Sequence, residues 1–337
     1  MSIFRNNWFY FGVFTFLFSC GNGDKVLPRS TGKEGELLLI VDEKYWKHPV
    51  GDTLKAFFSQ DMPGLPQSEP MFKVYKIFPK DFTLSFKTNK NILIINIDPN
   101  HPVQDPTLEI GYDNWAKDQL AMKLSCNNPD EFFEAFRNKR QRITQLIIDK
   151  DLERYQRKYA MTSSKAIQDK LEEKFGIKMS VPEGFYVSRE EPDFIYLAHE
   201  AMKKVGALQH QITRGIWIYT FPYTDQQTFT KKYVTHLRDS ITRLYIEGAA
   251  DSSYMAIEYI YPPDSASTTI QKEYALETRG LWRMENYFMG GPFLNYITYD
   301  KRKKRIIMVD GFVFAPRFDK REYMLQLEAM LKSLTIL

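Results

Sequence analysis

The sequence predicts an α+β chain: a small α/β layer at the N-terminal end, a long helical bridge, then a mainly antiparallel sheet packed with helices. Three observations carry this. Two short, continuous apolar runs, residues 36–42 and 91–98, have the pattern of strands buried on both faces, with a helical pattern between them. After residue 128 the apolar side chains fall three and four apart over many turns. From Ile177 the texture changes to alternating β-branched and aromatic runs separated by turn residues.

The chain opens with Arg5 and then a stretch, Trp8 to Phe18, without a charged side chain. That run is too short to span a bilayer, which takes about 20 apolar residues. It fits the apolar core of a signal peptide, roughly 7–15 residues long. It ends in Leu17-Phe18-Ser19-Cys20, which resembles the bacterial lipoprotein signal. The resemblance implies cleavage after residue 19, a lipidated Cys20 and a body held at a membrane of the cell envelope. It does not say which leaflet holds the lipid, or whether the body faces the periplasm or the outside. An ordinary signal peptide is the alternative. Residues 20–35, rich in Gly and polar groups, read as a flexible tether.

The body follows in order. Residues 36–42 form the first strand; Asp52-Thr53 caps a helix carrying Leu54, Phe57 and Phe58; residues 72–77 and 91–98 are strands. This first part spans residues 36–160 and ends in a helix begun at Asn128 or Asp130, with Phe132, Phe133, Phe136, Ile143, Leu146, Ile147 and Leu152 on its apolar stripe. Thr162-Ser163-Ser164 breaks it, and a shorter helix with Ile167, Leu171 and Phe175 stops at Gly176. The second part, residues 163–337, has strands at 186–187, 194–197 and 215–221, a helix over 225–246, and strands at 255–261, 274–284, 293–299 and 306–314. A last helix from Asp319 carries Tyr323, Leu327 and Leu331.

In element order the second part resembles the PsbP-like α/β sandwich. A wider resemblance runs over nearly the whole chain. The Leu17–Cys20 signal, Val181-Pro182-Glu183-Gly184-Phe185, and Gly280-Leu281-Trp282 leading to Met289-Gly290-Gly291-Pro292-Phe293 resemble an envelope lipoprotein family of Bacteroidota, domain of unknown function 4837. That family implies an envelope location and brings no activity, so no catalytic residue transfers.

The residues themselves name no catalyst, metal or cofactor. His48, His101, His199, His210 and His236 are scattered, and His199-Glu200 lacks the second histidine of a zinc-protease helix. There is no Gly-x-Ser-x-Gly elbow and no phosphate-cradling glycine loop. Glu190 and Glu191, beside Pro192, read as solvated loop charges. A net charge of +4 does not point to nucleic acid. With Cys20 lipidated, Cys126 has no partner for a disulfide and reads as an inert thiol.

Two stretches remain. Trp282, Arg283, Glu285 and Tyr287, followed by a turn at Gly290 and Gly291, form a candidate lip for a ligand or protein partner. Lys301, Arg302, Lys303, Lys304 and Arg305 sit on a hairpin turn and are a candidate contact with anionic headgroups. The leading reading is a non-enzymatic, lipid-anchored envelope protein that binds a partner or ligand. The alternatives are an envelope hydrolase acting on carbohydrate, peptide or lipid, and a structural assembly factor.

Overall fold

The computed structural model describes residues 26–337, so the signal-peptide and Cys20 readings lie outside the described residues. The fold is mixed α+β: an N-terminal sheet, a long helix, and a curled antiparallel sheet.

In chain order the first part holds β1 (Glu36–Val41), α1 (Glu43–Trp46), α2 (Pro49–Phe58), β2 (Lys73–Ile77), α3 (Leu84–Lys87), β3 (Asn91–Ile97), β4 (Thr107–Tyr112), β5 (Leu120–Cys126) and α4 (Pro129–Met161). The sheet order is β2-β1-β3-β5-β4, parallel except for the β4 edge. The central strands are apolar on both faces because α2 and α4 cover one face and Phe82 and Trp115 pack on the other. Strand β5 was not foreseen: Lys123 and Ser125 interrupt its apolar run. The second helix starts earlier than Asp52-Thr53, because Pro49 takes its first turn and the His48 imidazole accepts from Val50 N–H (3.4 Å).

The expected tether is shorter than read. Pro28 O accepts from Lys117 N–H (2.8 Å), Thr31 N–H donates to Thr88 O (2.8 Å), and Gly35 N–H donates to Asp151 Oδ2 (2.7 Å). These bonds tie residues 28–35 to the segments leading into β5 and β3 and to α4, so they belong to the body.

The second part continues with α5 (Lys165–Phe175), β6 (Ile177–Lys178), β7 (Tyr186–Glu191), β8 (Phe194–Val205), β9 (Leu208–Pro222), α6 (Lys231–Tyr245), β10 (Tyr254–Ile257), β11 (Asp264–Ile270), β12 (Glu273–Glu285), β13 (Gly290–Asp300), β14 (Arg305–Phe314), α7 (Arg321–Lys332) and β15 (Thr335–Ile336). Its main sheet runs β10-β12-β13-β14-β9-β8-β7, with β11 also on β12. Its two faces make separate cores, one under α5 and α7, the other under α6.

Several details differ from the sequence reading, and the strand expected at 255–261 ends at Ile257. Gln226–Phe229 is a 3₁₀ turn ahead of α6, which starts where Thr230 Oγ1 accepts from Tyr233 N–H (3.3 Å). Strand β11 is Ser/Thr-rich and carries no apolar signature. Glu190 and Glu191 lie on β7, where Glu190 meets Lys170 (2.7 Å) and Glu191 meets Arg189 (3.1 Å). Strands β8 and β9 run well beyond residues 194–197 and 215–221.

The two cores meet inside one helix. Phe132, Phe136, Ile143 and Ile147 of α4 belong to the N-terminal core, while Leu152, Tyr155 and Tyr159 belong to the C-terminal one. A second joint is Glu69, a buried carboxylate that accepts from Lys320 N–H and Arg321 N–H (2.8 Å each) at the start of α7. The helix lacks a capping side chain of its own, and an anion from the other half of the chain fills that place.

Among the described residues no helix is long and apolar enough to cross a membrane.

Candidate functional site

The lip forms where β12 turns into β13. Asn286, at φ 59°, makes the bend, and Met284 N–H donates to Met289 O (2.8 Å) to close it. Gly290 and Gly291 are therefore strand residues and not the turn; they pair with Arg283 and Trp282. Gly291 is needed for another reason. A Cβ there would lie 2.0 Å from Val313 O, so only a bare backbone fits.

The predicted contacts divide sharply. Trp282 is 1% exposed, its indole N–H donates to Val313 O (3.3 Å), and its ring meets Phe312 edge-on; it is floor, not rim. Arg283 is bound to its neighbours, Glu285 (2.9 Å) and Glu258 (3.6 Å), so both proposed polar anchors are engaged with each other. Tyr287 is half in solvent, and Phe288, 103% exposed, stands clear of the fold. Together these residues edge an open groove of about 560 Å³, closed on its far side by Phe314, Pro316 and Pro66.

The basic hairpin sits at the opposite end of β13. Lys301 meets Glu273 (2.6 Å). The Arg305 guanidinium pairs with Asp300 (3.0 Å) and donates to Phe175 O, satisfying a carbonyl at the end of α5. Arg302, Lys303 and Lys304 are exposed.

A second concavity, not foreseen, lies between the two halves of the chain. Two hollows of about 300 and 430 Å³ flank the loop of residues 60–70 and share a wall, Glu277 and Arg279. The two lie two apart on β12 and so point to the same side. Arg279 meets Glu277 (2.5 Å) and Glu328 (2.8 Å); Lys332 meets Glu328 (3.2 Å); Tyr296 O–H donates to Glu277 Oε2 (2.8 Å). Burial pushes the Glu328 carboxyl up, but the Arg279 and Lys332 charges more than offset this and leave it below the ordinary carboxylate range. An acid–base pair needs one carboxyl held protonated. Here both carboxylates face cations, and the cluster fastens α7 to the sheet. The signals were present in the sequence as Glu277-x-Arg279 on a strand and Glu328-x-x-x-Lys332 on a helix.

Deeper still, Asp310 and Arg238 are wholly buried between α6 and the sheet, joined at 2.8 Å, with Asn295 donating to Asp310 Oδ2 (3.1 Å) and Phe293 under the guanidinium. Burial holds the Asp310 carboxyl above its ordinary value, partly countered by Arg238. Among the described residues neither side chain of this pair has any exposed surface. Burial also raises the Cys126 thiol to about 11, the direction expected for an unreactive group.

Comparison with known proteins follows the same division of the chain. Residues 164–333 match a family described as a domain of unknown function (DUF4837), and residues 30–160 match a second one (DUF8532). No curated protein matches. Among solved structures, similarity extends to the Ran-binding protein Mog1p of Saccharomyces cerevisiae, at 11% identity over 48% of this chain and 90% of that one, with a TM-score of 0.31. A Bacteroides thetaiotaomicron protein is similar at 9% identity over 48% of this chain and 45% of that one, with a TM-score of 0.27.

Proposed function

The chain belongs to the family of the domain of unknown function DUF4837, and from that premise we propose that it is a lipid-anchored envelope lipoprotein of Bacteroidota that binds a partner through the lip. The anchor rests on the Leu17–Cys20 pattern. The binding role rests on one observation, Phe288. A bulky aromatic ring wholly in water, at a turn and beside an apolar-floored groove, contributes nothing to the fold that carries it. Aromatic side chains displayed in this way are what protein interfaces use as anchors. Binding is favoured over hydrolysis because the carboxylates that share a cleft, Glu277 and Glu328, are each matched by a cation.

The test is crosslinking of the membrane-held protein in mild detergent, followed by mass spectrometry, with wild type and Phe288→Ser compared. A partner in stoichiometric amount, crosslinked at residues 283–290 and lost from the variant, is the expected result. Well-folded, membrane-bound protein that brings nothing with it would send the search to small ligands.

A further inference from the structure

Beyond Ala198 and Thr213 strands β8 and β9 pair with no third strand among the described residues, and residues 199–212 project from the sheet as a two-stranded ribbon. Such a ribbon alone in water is marginal, and hairpin tips that face water usually carry Asn-Gly or Asp-Gly. This one carries Val205-Gly206-Ala207-Leu208. Gly206 sits at φ +61° with nothing within 4 Å of where its Cβ would be. Leu208 is 63% and Met202 60% exposed, and Lys203 and Lys204 stand beside them. No acidic residue occurs between Glu200 and the tip, or from the tip to Gln211. An apolar tip with lysines just behind it suits the boundary of a bilayer, where the tip enters the acyl region and the ammonium groups stay with the phosphates.

The place of the ribbon agrees with this. Lys203 lies over the ring of Phe318 (4.7 Å), and His210 packs edge-on against the same ring. Three residues on, the Arg321 guanidinium reaches Gly35 O (3.4 Å). Gly35, where the N-terminal extension enters β1, is therefore near the base of the ribbon, and from there the extension runs back past the starts of β3 and β5 to Pro28. From Cys20 to Pro28, the first residue bonded to the body, is eight residues of chain, at most ~29 Å when fully extended. A lipid on Cys20 would keep the edge of the body at Pro28, the side on which Gly35 and Arg321 also lie, within that reach of the bilayer. The basic hairpin, 301–305, is at the other end of β14.

We propose that residues 202–208 form a second membrane contact, entering the headgroup region of the anionic bilayer that holds the Cys20 lipid. The inference rests on the lipid-anchor reading given above. The strand register sets Phe288 roughly level with His210, so the ribbon tip extends about three residues, ~10 Å, past the lip. With the tip in the headgroups, the lip stands just above the membrane surface.

The experiment uses the protein purified with its lipid and reconstituted in vesicles of phosphatidylethanolamine and phosphatidylglycerol. Ala207→Cys carries a polarity-sensitive dye, Lys303→Cys is the control, and buried Cys126 stays unlabelled. A blue shift at 207 with quenching by nitroxide lipids, and neither at 303, is the expected result. In the Cys20→Ser chain, adding Val205→Asp and Leu208→Asp should weaken partitioning into the same vesicles about tenfold or more. A label at 207 that stays water-like on membrane-bound protein overturns the inference, and so does one shielded by a crosslinked protein. If mass analysis finds Cys20 without lipid, the anchor reading fails by itself. The ribbon is then judged by the 207 signal in the Cys20→Ser chain, where no shift overturns it.

Discussion

Neighbouring residues of similar chemistry have opposite fates here. Trp282 and Tyr287 both read as lip aromatics, yet strand alternation turns Trp282 inward, while the bend at Asn286 leaves Tyr287 half in solvent and throws out Phe288, which the sequence did not single out. Which face of β12 is buried depends on its partners, and a single strand does not reveal them. Gly291 reads in the sequence as part of a turn, whereas it is a strand residue whose bare backbone Val313 O requires. Gly291→Ala sets a methyl against Val313 O, the carbonyl that also holds the Trp282 indole, and should cost about 3 kcal/mol in urea unfolding. The cleft cluster gives a prediction in pH. The folded-state pKa of Glu328 is depressed, so its contribution to stability is present above the unfolded value of about 4.5 and is lost as pH falls through the folded value. Glu328→Gln should lower stability at neutral pH by about 2 kcal/mol and flatten the urea midpoint against pH below about 5. An equally steep acid limb in the variant would show that other carboxylates set it.

Helices were more legible than strands because their signals are local. The long helix was read from its stripe to within a residue or two at each end, and its cap, Asn128, accepts from Glu131 N–H (3.0 Å). Strand β5 is an interior strand of its sheet yet carries half-buried Lys123 and buried Ser125, so its sequence lacks the run that marked β1 and β3. The start of α7 shows the limit most clearly. Asp319 looked like its beginning, but the anion at its first turn is Glu69, some 250 residues away in sequence, and nothing local announces it. Glu69→Ala should therefore destabilise the protein by about 1–2 kcal/mol and raise hydrogen exchange at the Lys320 and Arg321 amides. Glu69→Gln, which keeps an acceptor without the charge, should recover part of both. Unchanged exchange in Glu69→Ala would mean that water caps the helix equally well.

At the scale of the whole molecule the two halves, although matched by two separate families, share their structural axis. One α4 helix of 33 residues, roughly 50 Å long, enters the N-terminal core with its first half and the C-terminal core with its second. Ile148 touches both cores. The helix itself was plain in the sequence, and its change of partner was not, because an apolar stripe looks the same whichever sheet covers it. A break in such a helix would strand an apolar face of whichever half stayed folded, and the Glu69 cap and the Gly35–Asp151 bond would be lost with it. The two cores should consequently unfold as one cooperative unit. Ile147→Ala removes packing only from the first core and Leu152→Ala only from the second, each at about 2–4 kcal/mol. With Trp46 and Trp115 of the N-terminal half replaced by Phe, tryptophan emission reports on Trp217 and Trp282 in the C-terminal sheet, whereas a label on the exposed Tyr112→Cys reports on the N-terminal one. In urea, both variants should shift both signals to the same lower midpoint. Separate midpoints, with each variant moving only the signal of its own half, would instead make α4 a passive rod between two independent folding units.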